Sequence, residues 1–124
     1  MTDIHEFIKI NIKKQNAKAR LYIVEFTDND FIIAYNQSLN LSGYGKTSEE
    51  AKEMLFKHVL SDFFENLFHQ SPEIMYETLI NLGWKRSMFF KQELSKNAHV
   101  DREGILRNFN LPEETKLHGE LVSI

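Results

Sequence analysis

The seven residues Gly45-Lys46-Thr47-Ser48-Glu49-Glu50-Ala51 constrain the fold more than any other stretch of the chain. The Thr47 hydroxyl is placed to accept from a backbone N–H one turn later, and Glu50, three residues on, completes a capping box by reaching back to the Thr47 N–H. Glu49 and Glu50 put negative charge at the positive end of the helix dipole. Gly43 and Gly45 read as residues that let the chain turn sharply from a strand into the helix. Beyond the cap, Ala51, Met54, Leu55, Val59, Phe63, Leu67 and Phe68 recur at three- and four-residue spacing, with Lys52, Glu53, Lys57, Ser61 and Glu65 on the other side. That period predicts an amphipathic helix over 48–68.

The segments around this helix read as strands. Ile8, Ile10 and Ile12 alternate with Lys9, Asn11 and Lys13, which is the pattern of a half-solvated strand over 5–14. Within a strand over 20–27, residues 21–26 are apolar on both faces, as are 31–35, and the two segments flank Asp28-Asn29-Asp30, whose short polar side chains favour a turn. They predict a hairpin with both faces covered, the third strand running on to residue 42. The second face must meet the C-terminal half or another chain, and that requirement argues for a homodimer.

Ser71-Pro72-Glu73 starts a second helix, with Ser as cap and Pro at the first helical position, and Gly83 stops it. Trp84 then opens an extended segment read as a fourth strand, with Trp84, Met88 and Phe90 on one face. Asp101 caps a short helix carrying Ile105, Leu106 and Phe109, which Pro112 ends, and 117–124 reads as a last strand. The expected fold class is α+β. An antiparallel sheet of three N-terminal strands is followed by the amphipathic helix, then a second helix and one or two further strands. A chain of 124 residues suits a single domain over 1–124, with a core over 5–68 and a C-terminal extension over 71–124.

Gly-x-Thr-x-Glu-Glu-Ala, carried here by Gly45, Thr47, Glu49, Glu50 and Ala51 after a β-rich lead-in, resembles the HicB-like antitoxin domain over roughly residues 5–68. The resemblance implies a three-stranded antiparallel sheet followed by a helix, a partial RNase H-like arrangement that often has one further strand. It also implies an antitoxin-like role. Leu41-Ser42-Gly43-Tyr44 stands where the family usually carries a Pro-Gly-Cys-like segment, and no helix-turn-helix or ribbon-helix-helix follows.

The side chains offer little catalytic chemistry. Absence of cysteine removes disulfides, thiolate metal sites and a cysteine nucleophile. The Asp28-Asn29-Asp30 triplet lacks the glycine and distant glutamate of a calcium loop. His5, His58, His69, His99 and His118 form no paired metal motif, and His99 alone stands out as a candidate general base. Glycine spacing before Gly45-Lys46-Thr47 is wrong for a phosphate-binding loop, and the first strand lacks the acids of a two-metal nuclease. No catalytic residue, metal or cofactor is expected.

A net charge of −3 does not mark a general nucleic-acid binder. Two basic clusters stand out nonetheless, Lys13-Lys14-Lys18-Arg20 and Lys85-Arg86-Lys91. The leading expectation is a non-enzymatic protein-binding domain, antitoxin-like or an orphan of that family. It would cover a partner surface, with a small toxin as one such partner, and Phe31, Tyr35, Tyr44 and Phe89 as the contacts. The alternative is a nucleic-acid-binding protein using Trp84, Lys85, Arg86 and Lys91, where aromatics interleave basic residues. With no secretory leader pattern and no apolar run able to span a bilayer, a cytoplasmic protein without membrane contact is expected.

Overall fold

The structure is a computed structural model that describes residues 4–90, 92–98 and 100–124. Two of the candidate residues, Lys91 and His99, lie outside the described residues. The fold is α+β, but among the described residues its antiparallel sheet has seven strands, more than the three N-terminal strands and one or two later ones expected. They are β1 (Ile4–Asn11), β2 (Asn16–Asp28), β3 (Phe31–Asn36), β4 (Leu41–Gly45), β5 (Lys85–Arg86), β6 (Glu93–Ala98) and β7 (His118–Ser123). Hydrogen-bonded neighbours run β4-β3-β2-β1-β6-β5, with β7 also on β2.

Two breaks account for the extra strands. The segment expected as one strand over 31–42 folds back on itself at Gln37–Asn40. Asn36 Oδ1 accepts from the Leu39 N–H at 2.8 Å, and Asn40 takes a left-handed φ of 54°, which asparagine tolerates at little steric cost. Likewise the strand expected to run from Trp84 becomes a β5–β6 hairpin. Ser87 Oγ accepts from the N–H groups of Phe89 and Phe90 at 3.1 and 3.0 Å, and this turns the chain before Glu93.

β2 organises the sheet. Arg20 pairs with Phe7 and Ser123, and Val24 pairs with Tyr35 and Gly119. Since β7 runs unbroken along Arg20–Glu25, β1 and β3 must share the opposite edge of β2, β1 on its first half and β3 on its last. A fork therefore opens between them at Tyr22. Glu6 fills it, fully buried. Its Oε2 accepts from the Tyr22 N–H and from Asn36 Nδ2 at 2.9 and 3.0 Å, and its Oε1 from the Ser38 hydroxyl. Asn36 Nδ2 also donates to the Tyr22 carbonyl at 2.9 Å, so side chains replace the missing ladder at both backbone groups of Tyr22.

The long helix follows as α1 (Ser48–Glu53), a π-helical segment Met54–Leu60, and α2 (Ser61–Phe68). Thr47 caps it by accepting from the Glu50 N–H at 3.1 Å, while Glu50 reaches back to the Lys46 N–H rather than to Thr47. Its buried residues are Ala51, Leu55, Leu60 and Leu67. The five-residue step from Leu55 to Leu60 is the π turn; it moves the buried seam one position past Val59, which is only half-buried.

Gly43 and Gly45 sit within β4 with ordinary φ angles, so they are not needed for a turn. They are needed for proximity. A Cβ on Gly43 would lie 2.5 Å from the Leu55 N and 2.7 Å from the Ala51 O, and one on Gly45 would lie 2.8 Å from the Ala51 N. The helix rests on this strand backbone to backbone.

The remaining helices are α3 (Pro72–Asn81), capped by Ser71, and α4 (Arg102–Asn108), capped by Asp101. The main core joins Ile8, Leu21 and Ile23 to Leu55, Leu79 and Trp84. A second core on the opposite face joins Val24, Phe26 and Tyr35 to Ile105 of α4, with Phe109 packed against them. The Phe109 ring stands edge-on to Phe26 and Tyr35 at 4.9 and 5.0 Å. The chain's own C-terminal half thus covers the second face of the β2–β3 hairpin, and the reason for expecting a homodimer falls away.

Candidate functional site

Among the residues expected to bind a partner, Phe31 and Tyr44 come together. Their rings stand at right angles, 5.7 Å between centroids, with 40% and 56% of their surfaces exposed. Register explains the meeting: Tyr44 lies opposite Ile33, and Phe31 is two residues away on the same face of β3.

Tyr35 is placed differently from expectation. It is 2% exposed, held under α4 by Phe109, and its hydroxyl donates to Asn40 Oδ1 at 2.8 Å. Burial pushes its pKa up, partly offset by a hydrogen bond with the Asn108 side chain. Such a side chain positions the β3–β4 turn and offers no surface to a partner. Phe89 is exposed, but it stands on the β5–β6 turn, near the start of β2, whereas Phe31 follows the end of β2. A strand of this length separates them by roughly 40 Å, so they do not form one site.

Of the basic and aromatic residues in the alternative set, Trp84 is 1% exposed in the main core, and its Nε1 has no partner among the described residues. The tight turn at Ser71–Pro72 and the stop at Gly83 (φ 97°) return the chain so that Trp84 packs beneath α3, its N–H donating to the Leu79 carbonyl at 3.1 Å. It has no face free to stack on a base. Lys85 and Arg86 are exposed on β5, with the Arg86 guanidinium 3.9 Å above the Tyr76 ring. At Asp28-Asn29-Asp30 the structure forms a turn with Asn29 at φ 56°. Among the described residues no three histidine or acidic side chains converge as a metal site.

Sequence reasoning missed the outer edge of β4. Among the described residues this strand pairs with β3 alone and ends the sheet. Alternation along the ladder turns the backbone groups of Ser42 and Tyr44 away from β3, since Tyr22 and Val24 point toward the β1–β3 edge of β2. Leu41-Ser42-Gly43-Tyr44-Gly45 carries no charge and no proline. Two other edges among the described residues carry charge: β5 consists of Lys85 and Arg86, and β7 bears His118 and Glu120, with Glu120 paired to Lys52 at 2.6 Å. Charged edge residues are the usual protection against strand addition, and β4 lacks them. The signal was in the sequence as an uncharged five-residue strand, but its edge position depends on the turn at Gln37–Asn40.

Compared with known proteins, the chain matches no family model, no curated protein and no solved structure.

Proposed function

We infer that this protein is a non-enzymatic binding domain that recognises a protein partner by strand addition at β4. An extended segment of the partner pairs with the outward backbone groups of Ser42 and Tyr44, and the Phe31–Tyr44 pair packs against its side chains. The single observation that carries the reading is the unguarded edge beside an exposed aromatic pair. The backbone contact of α1 and the π segment on the inner face of β4 supports it, because it holds the edge rigid and lowers the ordering cost of binding. An antitoxin-like role, in which the added strand belongs to a small toxin whose working face is thereby occluded, rests on the motif at Gly45, Thr47, Glu49, Glu50 and Ala51. It is the form of partner binding that the HicB-like resemblance favours.

The test is Ser42→Pro. Proline there removes an N–H that faces away from β3, so the intramolecular ladder is kept while the outer edge is blocked. Proteins captured from the host by the tagged wild type should be lost with Ser42→Pro and weakened with Phe31→Ser. A partner retained at wild-type level by a folded Ser42→Pro protein would refute edge recognition.

A further inference from the structure

Met88, Phe89 and Phe90 are 95%, 88% and 65% exposed at the tip of the β5–β6 hairpin. Single apolar residues on a surface need no explanation, but three large ones in a row on a projecting turn make a patch that calls for a partner medium. The turn is well formed. In addition to the Ser87 hydroxyl bonds, the Ser87 N–H donates to the Glu93 carbonyl at 2.8 Å and the Glu93 N–H to the Phe90 carbonyl at 3.1 Å.

Cations surround this tip. β1 and β6 run antiparallel with Lys9 opposite Glu93, and the Ile10 N–H donates to the Gln92 carbonyl at 2.8 Å. The β1–β2 turn, with exposed Lys13 and Lys14, therefore lies beside the hairpin tip. Lys9 and Lys18 line one depression together with Phe90, and Lys85 is exposed on the hairpin stem. Glu93 is the acid within this group, and Glu65 borders the far side of the β1–β2 turn. Lysines far apart in sequence are thus gathered around an apolar point, in a chain whose overall charge is −3.

We propose that this tip docks on an anionic lipid surface, with Met88, Phe89 and Phe90 entering the boundary between headgroups and acyl chains and Lys9, Lys13, Lys14, Lys18 and Lys85 meeting the lipid phosphates. Charge complementarity selects this occupant. The buried centres of protein interfaces are poor in lysine, and five lysines flank this patch. Single-strand binders lay bases along a groove on aromatic platforms; here the aromatics sit on a projecting turn and Trp84, which would extend a platform, is in the core. No helix among the described residues is long and apolar enough to cross a membrane, but surface docking needs none. This site is separate from the β4 edge, so the two readings stand or fall independently.

The absence of cysteine allows a single label. Met88→Cys carrying an environment-sensitive nitrobenzoxadiazole dye should brighten and shift to the blue with phosphatidylglycerol–phosphatidylcholine vesicles, much more than with phosphatidylcholine alone. The same dye at Asp30→Cys, on the β2–β3 turn, should not respond. In vesicle sedimentation, Phe89→Ser with Phe90→Ser should lower partitioning by about tenfold or more, and added salt should weaken it. Three outcomes would each overturn the proposal: no sedimentation with anionic vesicles, sedimentation unchanged by the double variant, or a dye at position 88 that responds to a single-stranded oligonucleotide and not to vesicles.

Discussion

The Glu6 carboxylate lies 2.9 Å from the Tyr22 backbone N–H, and the two residues are joined where the sheet's ladder is interrupted. A buried carboxylate is costly unless its oxygens are satisfied. Here it accepts from a peptide N–H, an amide and a hydroxyl, with no cationic partner at the oxygens among the described residues. The residue is therefore a substitute for strand pairing in the fork between β1 and β3. Glu6→Ala should leave the Tyr22 N–H, Asn36 and Ser38 short of an acceptor and destabilise the fold by about 3 kcal/mol or more. Glu6→Gln keeps an oxygen for Tyr22 and Asn36 and should cost about 1 kcal/mol. Urea denaturation of the three proteins checks both figures; a Glu6→Ala midpoint equal to wild type would sink the account.

Gly43 makes a second prediction. Its missing Cβ is the space in which the π segment touches β4, and the neighbours are backbone atoms of Ala51 and Leu55 that cannot rotate away. Gly43→Ala should push the helix off the strand and cost about 1–3 kcal/mol, as overpacking does, although alanine is no worse than glycine in an ordinary strand. A thermal melt in which Gly43→Ala is as stable as wild type would show that the helix sits further out.

Tyr35 gives a pH dependence with a definite sign. Burial raises its pKa above the ordinary 10.0, so the unfolded chain releases this proton at lower pH than the native one. The stability tied to the neutral phenol is complete below pH 10.0 and is lost as pH climbs through the raised native value. Lys52, raised chiefly by its hydrogen bond to Glu120, is lost in the alkaline range too, but that pair is exposed enough to contribute little. Tyr35→Phe should cost about 1 kcal/mol at neutral pH through the lost bond to Asn40, and should flatten the decline above pH 10.0. Denaturation midpoints measured from neutral to strongly alkaline pH separate the curves of the two proteins; parallel declines would rule out Tyr35 as the titrating group.

Helix starts at Thr47, Ser71 and Asp101 were legible because a cap is written within four residues of local sequence. The apolar-both-faces pattern of β2 and β3 correctly demanded cover on each side. What supplies the cover was not legible: Phe109 reaches Tyr35 only after more than seventy intervening residues have folded. Trp84 and Phe89 end in different surroundings for one reason. An extended segment beginning at Trp84, with Met88 and Phe90 on its face, reads as a single strand, and nothing local says that Ser87 turns it, burying Trp84 and exposing Phe89. The candidate site suffered most, because the β4 edge and the gathering of lysines at the hairpin tip are products of strand order, and β1 meets β6 across most of the chain.

The π segment shows how a helix period can be right and its seam still shift. In the expected stripe Val59 is buried and Leu60 is not; in the structure Leu60 is 1% exposed and Val59 is half-buried. One residue more than an α-helix needs is accommodated between Leu55 and Leu60, with the widened turn at exposed Lys57 and His58. Deleting His58 should therefore convert Met54–Leu60 to ordinary α geometry, bring Leu55 and Leu60 to a four-residue spacing, and leave Leu67 in place. The shortened protein should stay folded, with its melting midpoint within about 5 °C of wild type, a change of about 1 kcal/mol for a domain of this size. In a regular α-helix the same deletion would rotate Leu60 and Leu67 about 100° away from the core and expose two leucines. Loss of the cooperative melt on deleting His58 would mean that the helix has no residue to spare, and that the shift from Val59 to Leu60 has another cause.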